Sequence, residues 1–286
     1  METPYWPLYG LRITTPRLEL RLPDTALLDE LAAVAADGVH DPEFMPFLFP
    51  WTDGGPEQRG RNTLQHLLGT IAEWRPERWT LSLAVLCDGK VVGRQDVVTS
   101  DFAVTREAET GSWLGRAHQG QGIGTEMREA VLGFAFEALG AHSMTSAAMT
   151  DNARSLAVSR KLGYRPDGVV TASVRGRART VQRLRLDRTD WERRARTLPV
   201  EVAGLEPCRA LLGLDGTAEA AKAAKAEAER AAETGRAVET ERAAEAAEAA
   251  GRADTAGTAD TAGTAGAAGT VPGTASGAVS AGDGVA

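Results

Sequence analysis

All fifteen aromatic residues of this chain stand at or before Trp191, so its last 95 residues hold no large ring around which a core could form. Folding is therefore confined to about the first 200 of its 286 residues. Residues 217–250 are built of Ala, Glu, Lys and Arg, strong helix formers, yet Val238 is the single large apolar side chain there and leaves no stripe to bury. Residues 251–286 are a low-complexity run of Ala, Gly and Thr, too poor in apolar surface to offset chain entropy, and read as disordered. The expected organisation is a folded domain over 1–198, a linker over 199–216, a partly helical segment over 217–250 and a disordered tail over 251–286.

Charge and cysteine usage exclude several classes. Of the net charge of −7, −5 lies from Thr217 onward and −2 before it, so neither part offers a basic surface for nucleic acid. Cys87 and Cys208 have no CxxC spacing, which argues against a disulfide framework and a thiolate zinc cage. The four histidines lack metal-ligand spacing, and no metal is expected. There is no run of 18 apolar residues, and METPYWPLYG lacks a basic start followed by a hydrophobic stretch. The expectation is a cytoplasmic protein without a membrane partner.

Within the first 200 residues the periodicity alternates between strand and helix. Leu18, Leu20 and Leu22 alternate with Glu19 and Arg21, a half-buried strand. Asp24 or Thr25 then caps a helix with Leu27, Leu28, Leu31, Val34 and Ala35 on one face. Residues 41–51 (DPEFMPFLFPW) are an aromatic loop that either roofs a core or lines a pocket. Pro56 opens a second helix running to about Trp74, with Leu64, Leu67, Leu68 and Ile71 inward. Runs 79–86 and 91–98 flank Asp88-Gly89, the signature of an antiparallel hairpin. A strand over 107–114, a glycine loop, a helix over 122–139, a strand over 142–149, a helix ending at Gly163, and a last β pair around the basic turn RGRAR complete the domain. This order mixes a meander with β-α-β crossovers and predicts an α+β domain with a mixed, mostly antiparallel sheet flanked by helices.

The most informative stretch is WLGRAHQGQGIGTE, residues 113–126. Gly120, Gly122 and Gly124 alternate where a strand ends and a helix begins. Glycine lets a ligand approach the backbone, and the unpaired amides of a helix start, with the positive end of its dipole, seat a phosphate or pyrophosphate. A tight turn with glycines for packing is the plainer alternative. A dinucleotide fingerprint fails at Thr125, and the only Gly-Lys, Gly89-Lys90, is followed by Val91 in a hairpin. The pattern Gln/Arg-x-x-Gly-x-Gly/Ala is met by Gln119 to Gly124.

Taken with GSWLG before it and DNARSLAVSRKLGYRPDG after it, this loop resembles the GNAT acyltransferases, in particular the RimJ/RimL type of ribosomal-protein N-acetyltransferases. The resemblance covers about residues 12–190 and implies the GNAT fold. It also implies an acyl-CoA co-substrate, acetyl-CoA by default or another such as succinyl-CoA, with its pyrophosphate on the amides of Gln119, Gly120, Gln121, Gly122, Ile123, Gly124 and Thr125. The preceding strand is implied to splay from its neighbour and grip the pantetheine through Trp113, Leu114 and Gly115. Asn152 matches the family's pantetheine-contacting Asn, though Asp-Asn at a helix start is also an ordinary cap. A homodimer is implied by family analogy alone.

Acyl transfer to an amine needs a neutral amine, a holder of charge on the thioester oxygen, and a proton for the thiolate. The family's usual Tyr proton donor is replaced here by Ser159, which either hydrogen-bonds the CoA sulfur or merely gives clearance. Glu109 shares a strand face with Gly111 and Trp113 and is the first candidate base, against a plain solvated or paired strand Glu. Asp96, in the apolar VVGRQDVV, is the second, at a cleft or on an edge. His118 reads as packing. Residues 41–55 and Arg175, Arg177 and Arg179 are expected on the acceptor side. The expected activity is N-acyl transfer to a primary amine of a protein or small molecule; the rival is a CoA-binding sensor or interaction module with a degenerate site.

Overall fold

A computed structural model describes residues 4–214. The segments 217–250 and 251–286 lie outside the described residues. A 3₁₀ turn, Pro7–Gly10, leads into β1 (Arg12–Thr14) and β2 (Leu18–Arg21). Helix α1 (Thr25–Asp37) starts where the Asp24 carboxylate accepts from the Leu27 amide, and α2 (Pro56–Ala72) has its proline at N1. Strands β3 (Arg78–Cys87) and β4 (Lys90–Ser100) form the expected hairpin, with Asp88 and Gly89 both at positive φ as a type I′ turn requires. There follow α3 (Phe102–Thr105), β5 (Glu107–Leu114), α4 (Ile123–Gly133), β6 (Ser143–Met149), α5 (Ala153–Lys161), β7 (Arg165–Val174), β8 (Arg177–Asp187), α6 (Arg188–Arg193) and β9 (Glu201–Ala203).

The strands form one sheet in the order β7-β8-β6-β5-β4-β3-β2-β1-β9. Every neighbouring pair in it is antiparallel except β5 with β6. That parallel pair is the β5-α4-β6 crossover, and its ladder joins only Glu107, Ala108 and Glu109 to Ser143, Met144 and Thr145. Beyond Glu109 the two strands part, which opens the fork that the resemblance implies.

Two apolar layers cover the sheet. On one face α1 and α2 bury Leu27, Leu28, Leu31 and Leu67 with Trp113. The helices approach closely at Gly60, where a Cβ would meet the Ala32 carbonyl at 3.2 Å. Leu68, expected inward, is exposed, since the apolar stripe of α2 is narrower than its leucine spacing implies. On the other face α4 is buried on all sides from Glu126 to Gly133, its acidic Glu129 included. The helix expected over 122–139 leaves α geometry after Gly133 and closes with a π turn, Phe134–Ala138.

The expected linker over 199–216 is corrected through Leu214. Strand β9 extends the sheet beyond β1, Cys208, Leu212 and Leu214 are buried, and the Trp74 indole donates to the Leu211 carbonyl at 2.8 Å. The segment just before it roofs α4: Arg194 and Thr197 bond the Glu129 carboxylate, and a Cβ on Gly133 would meet Val200 at 3.3 Å. Leucines and a thiol can seal a core without rings, which is why an aromatic boundary placed the domain end too early.

Candidate active site

The glycine loop has the geometry of an anion seat. Gly120 and Gly122 lie at φ +76° and +81°, left-handed values that turn the chain sharply into α4. The Gly122 carbonyl accepts from Thr125 and Glu126, and that of Gln121 from Arg17, so these carbonyls are used up on the protein side. Among the described residues, the amides of Gly120, Gln121, Gly122, Ile123 and Gly124 donate to no protein acceptor. Five successive unpaired donors at a helix start form a concave positive surface. Glu126, in the same turn, is paired with Arg17 at 2.6 Å and accepts from Thr15, which offsets its charge.

Gly120, Gly122 and Gly124 of this run border a cavity of about 950 Å³ that is also walled by Leu114, Gln119, Thr125 and Asn152 among the expected residues. The loop is braced from within: the Gln119 amide donates to the Val39 and Leu114 carbonyls at 2.6 and 2.9 Å and accepts from Arg154. Asn152 caps α5 by accepting from the Ser155 amide at 3.1 Å and also lines the cavity. Arg116, Arg154 and His40 stand in the same wall. Sequence reading assigned none of them a role, although two cations beside a glycine loop was a usable signal. Burial lowers the His40 pKa, and its ring is held between the Asp41 carbonyl and the Thr52 hydroxyl.

Other expected residues stand elsewhere. The Ile123 side chain is in the core, Gln121 points its amide at the Ala117 carbonyl, and neither lines the cavity. Gly115 is not in the cavity wall either; it permits a close approach, since a Cβ there would meet Val34 at 2.6 Å. Trp113 faces the opposite side of the sheet from Leu114. It walls a second pocket of about 330 Å³ with Phe49, Pro50, Trp51, Asn62, His66 and Arg94. The aromatic loop thus lines both cavities, with Phe44 and Pro46 on the large one.

The fork opens past the end of the β5–β6 ladder. Arg128 of α4 is buried and donates to Ser112 on β5 and Ser146 on β6, each at 3.2 Å, tying the strands where their ladder has ended. Register puts Arg94, Asp96 and Val98 of β4 opposite Trp113, Gly111 and Glu109, so both candidate bases face the α1/α2 side. Asp96 lies inside the sheet and pairs with Arg94 at 2.8 Å. Glu109 is in neither cavity wall, and among the described residues no hydrogen bond or ion pair ties its carboxylate. Burial raises its pKa, with the Arg128 charge partly opposing and Glu107 reinforcing the rise.

Ser159 is fully buried, and its Oγ, like that of Ser155, has no hydrogen-bond partner. The α5 residues in the large cavity's wall are Ala153, Arg154, Ala157 and Val158, so Ser159 belongs to the next face inward. His118 packs against Gly115 as expected of a structural ring. The basic turn is shorter than expected: only Arg175-Gly176 turn, while Arg177 and Arg179 belong to β8. Arg175 is bound to Asp53 and Arg179 to Asp151. Among the described residues no group of three or more His, Cys, Asp or Glu side chains gathers for a metal ion, and no helix is long and apolar enough to cross a membrane.

Residues 17–165 match the acetyltransferase (GNAT) domain family. The chain is 30% identical over 101 residues to the Bacillus subtilis protein named "Putative ribosomal N-acetyltransferase YdaF", covering 34% of this chain and 55% of that one. The chain spans about half the length of the curated relatives it matches. Among solved structures, Mycobacterium smegmatis RimJ in complex with CoA-disulfide superposes with a TM-score of 0.54 at 21% identity, over 63% of this chain and 88% of that one. A GCN5-related N-acetyltransferase from Brucella melitensis gives 0.51 at 22%, over 63% and 80%. These likenesses establish the shared fold. The family match covers just over half of the chain and includes its fork, loop and α5: the protein belongs to the GNAT acetyltransferase family.

Proposed function

We propose that the protein is an acyl-CoA-dependent N-acyltransferase that passes an acyl group directly to a primary amine. The observation that carries this reading is the row of five amides, Gly120 to Gly124, left without acceptors among the described residues, with Gly120, Gly122 and Gly124 at the edge of a cavity large enough for a coenzyme arm. Orphaned donors, two arginines and an apolar inner wall with Leu114 and Val158 fit a diphosphate followed by a pantetheine chain. The acyl-CoA supplies an activated acyl group; the remaining work falls to the chain.

The amides of Gly120 to Gly124 hold the diphosphate, those of Gln119 and Thr125 at either end being bonded to Arg116 and Gly122; Asn152 holds the arm, and the backbone of Trp113, Leu114 and Gly115 grips its end. On the β6 side of β5 the ladder ends at Glu109, and of the later backbone groups the Gly111 and Leu114 carbonyls accept from Gln95 and Gln119 and the Gly115 amide donates to Val92, which leaves the Trp113 segment for that purpose. Glu109 is the base: a carboxyl with a pKa raised by burial takes a proton nearer neutral pH than an exposed one does. Acetyl is the default acyl group, and the acceptor is an amine of a protein or small molecule, in the cytoplasm.

The test is release of free thiol from acetyl-CoA in the presence of a broad amine panel, with products identified by mass spectrometry. Thiol release coupled to an acylated amine is the expected result. Tight acetyl-CoA binding with no thiol released from any acyl-CoA tried would overturn it and leave a binding module.

A further inference from the structure

The small pocket beneath the aromatic loop has a charged floor. Arg94 is 5% exposed and Asp96 2%, and they are paired at 2.8 Å among the rings of Trp51 and Trp113, whose centroids lie 5.6 Å apart. Burying an ion pair costs desolvation that apolar side chains of the same size avoid, so a pocket with the arginine of such a pair in its wall demands a further reason. Arg94 carries a second cost, because its buried Nε donates to nothing. A guanidinium offers five N–H groups in a rigid fork, and Asp96 engages one Nη.

We infer that this pocket receives a carboxylate, bound by the Arg94 guanidinium in its wall, on one of the two reactants. This deepens and rests on the acyltransferase reading. Trp113 and Leu114 are consecutive on β5 and wall the small and large cavities in turn. Whatever fills the small pocket therefore lies across a single strand from the coenzyme arm, where the acceptor or the far end of the acyl chain must be. A planar monoanion matches the fork of a single arginine, whereas a phosphate dianion would meet the Asp96 charge beside it. The aromatic walls exclude water and strengthen the contact. The arginines of the β7–β8 hairpin are less suited, since Arg175 and Arg179 are engaged by Asp53 and Asp151.

The carboxylate belongs to the acceptor or to the acyl group, and paired reactants separate the two. With acetyl-CoA, 4-aminobutyrate is compared with its amide; with one carboxylate-free amine, succinyl-CoA is compared with butyryl-CoA. The expected result is at least a tenfold advantage in kcat/KM for the carboxylate-bearing member of one pair, collapsing towards unity in Arg94→Lys, which keeps a cation beside Asp96. The double variant Arg94→Gln/Asp96→Asn, which leaves no lone buried charge, should behave alike. Ratios near one in both pairs, or a ratio unchanged in Arg94→Lys, overturn the inference while leaving acyl transfer intact. If no thiol is released at all, calorimetric titration of glutarate and glutaramide into CoA-saturated protein decides independently. Glutarate binding at least tenfold tighter sustains the pocket assignment, and equal binding ends it.

Discussion

The two cavities are built from different materials. The large one is made mainly of backbone: its anion seat is a run of amides freed by Gly120 and Gly122 at positive φ, and few side chains need to be right for it to work. The small one is made of side chains from four elements, the aromatic loop, α2, β4 and β5, brought together only by the packing of α1 and α2 on the sheet. A backbone site announces itself locally, because only certain residues allow the conformation. A side-chain site has no local signature, and its chemistry varies without disturbing the fold.

The sharpest way to break this division is to fill the backbone seat. A Cβ on Gly124 meets only Leu114 Cδ1, at an ordinary 3.7 Å, so the helix tolerates a side chain there while a large one enters the cavity. Gly124→Trp should weaken CoA binding by about 100-fold or more, equivalent to roughly 3 kcal/mol, with circular dichroism and Tm near wild type. Normal affinity in the folded variant removes the seat from the cofactor site.

Chemistry at the fork should separate from binding. Glu109→Gln is expected to lower kcat by about 10²- to 10⁴-fold, the span of general-base contributions, and to leave CoA affinity unchanged in calorimetry. Activity of the wild type should rise with pH through a limb above the usual carboxylate range, since the ionised form is the base and burial raises its pKa. That limb should vanish in the variant. Stability carries the opposite sign: ionising a carboxyl whose folded pKa is raised costs the native state, so the cost is absent at acid pH and appears as pH climbs. Glu109→Gln should thus raise Tm at neutral pH and do nothing at about pH 4. Equal Tm gains at both pH values would refute the buried-carboxyl account.

Asn152 tests whether one residue serves backbone and ligand together. Asn152→Ala removes the cap on Ser155 and should cost about 0.5–2 kcal/mol in chemical denaturation. Asn152→Ser retains a capping oxygen, so its stability should stay near wild type. If Asn152 also holds the pantetheine arm, both variants lose affinity for acetyl-CoA by several-fold; wild-type affinity in the Ser variant reduces Asn152 to a cap.

Legibility followed the same division. The hairpin at Asp88-Gly89, strand β5 and the start of α4 stand where turn chemistry and periodicity put them. Strands β1 and β9 are three residues each, too short for alternation to register, and they pair only because the sheet edge is there to receive them. In the site, the glycine loop was readable, and so was the face shared by Glu109 and Trp113, because strand parity is a property of sequence. That Ile123 turns into the core while Gly122 and Gly124 border the cavity depends on how α4 sits on the sheet, which no local rule supplies. Arg94 was passed over beside Asp96, since a paired arginine and a surface arginine look alike until a partner strand fixes the facing.

The weakest link between the two cavities is the contact that holds the aromatic loop. Arg175, at the tip of the β7–β8 turn, binds the Asp53 carboxylate two residues after Trp51. Both side chains are substantially exposed, so Arg175→Ala should cost no more than about 1 kcal/mol and less at high salt. The Arg175 hydrogen bond holds the Asp53 carboxyl below its ordinary pKa, so whatever stability it gives is present above the unfolded carboxyl's pKa and lost as pH falls. The difference in Tm between wild type and variant should accordingly shrink on acidification. Kinetically, loosening residues 49–53 disturbs the wall of the small pocket and leaves the five amides untouched. The KM for the acceptor, or for a carboxylated acyl group, should rise by a fewfold while the KM for acetyl-CoA stays put. A change in the acetyl-CoA KM alone would show that the two cavities do not divide the reactants between them as their construction implies.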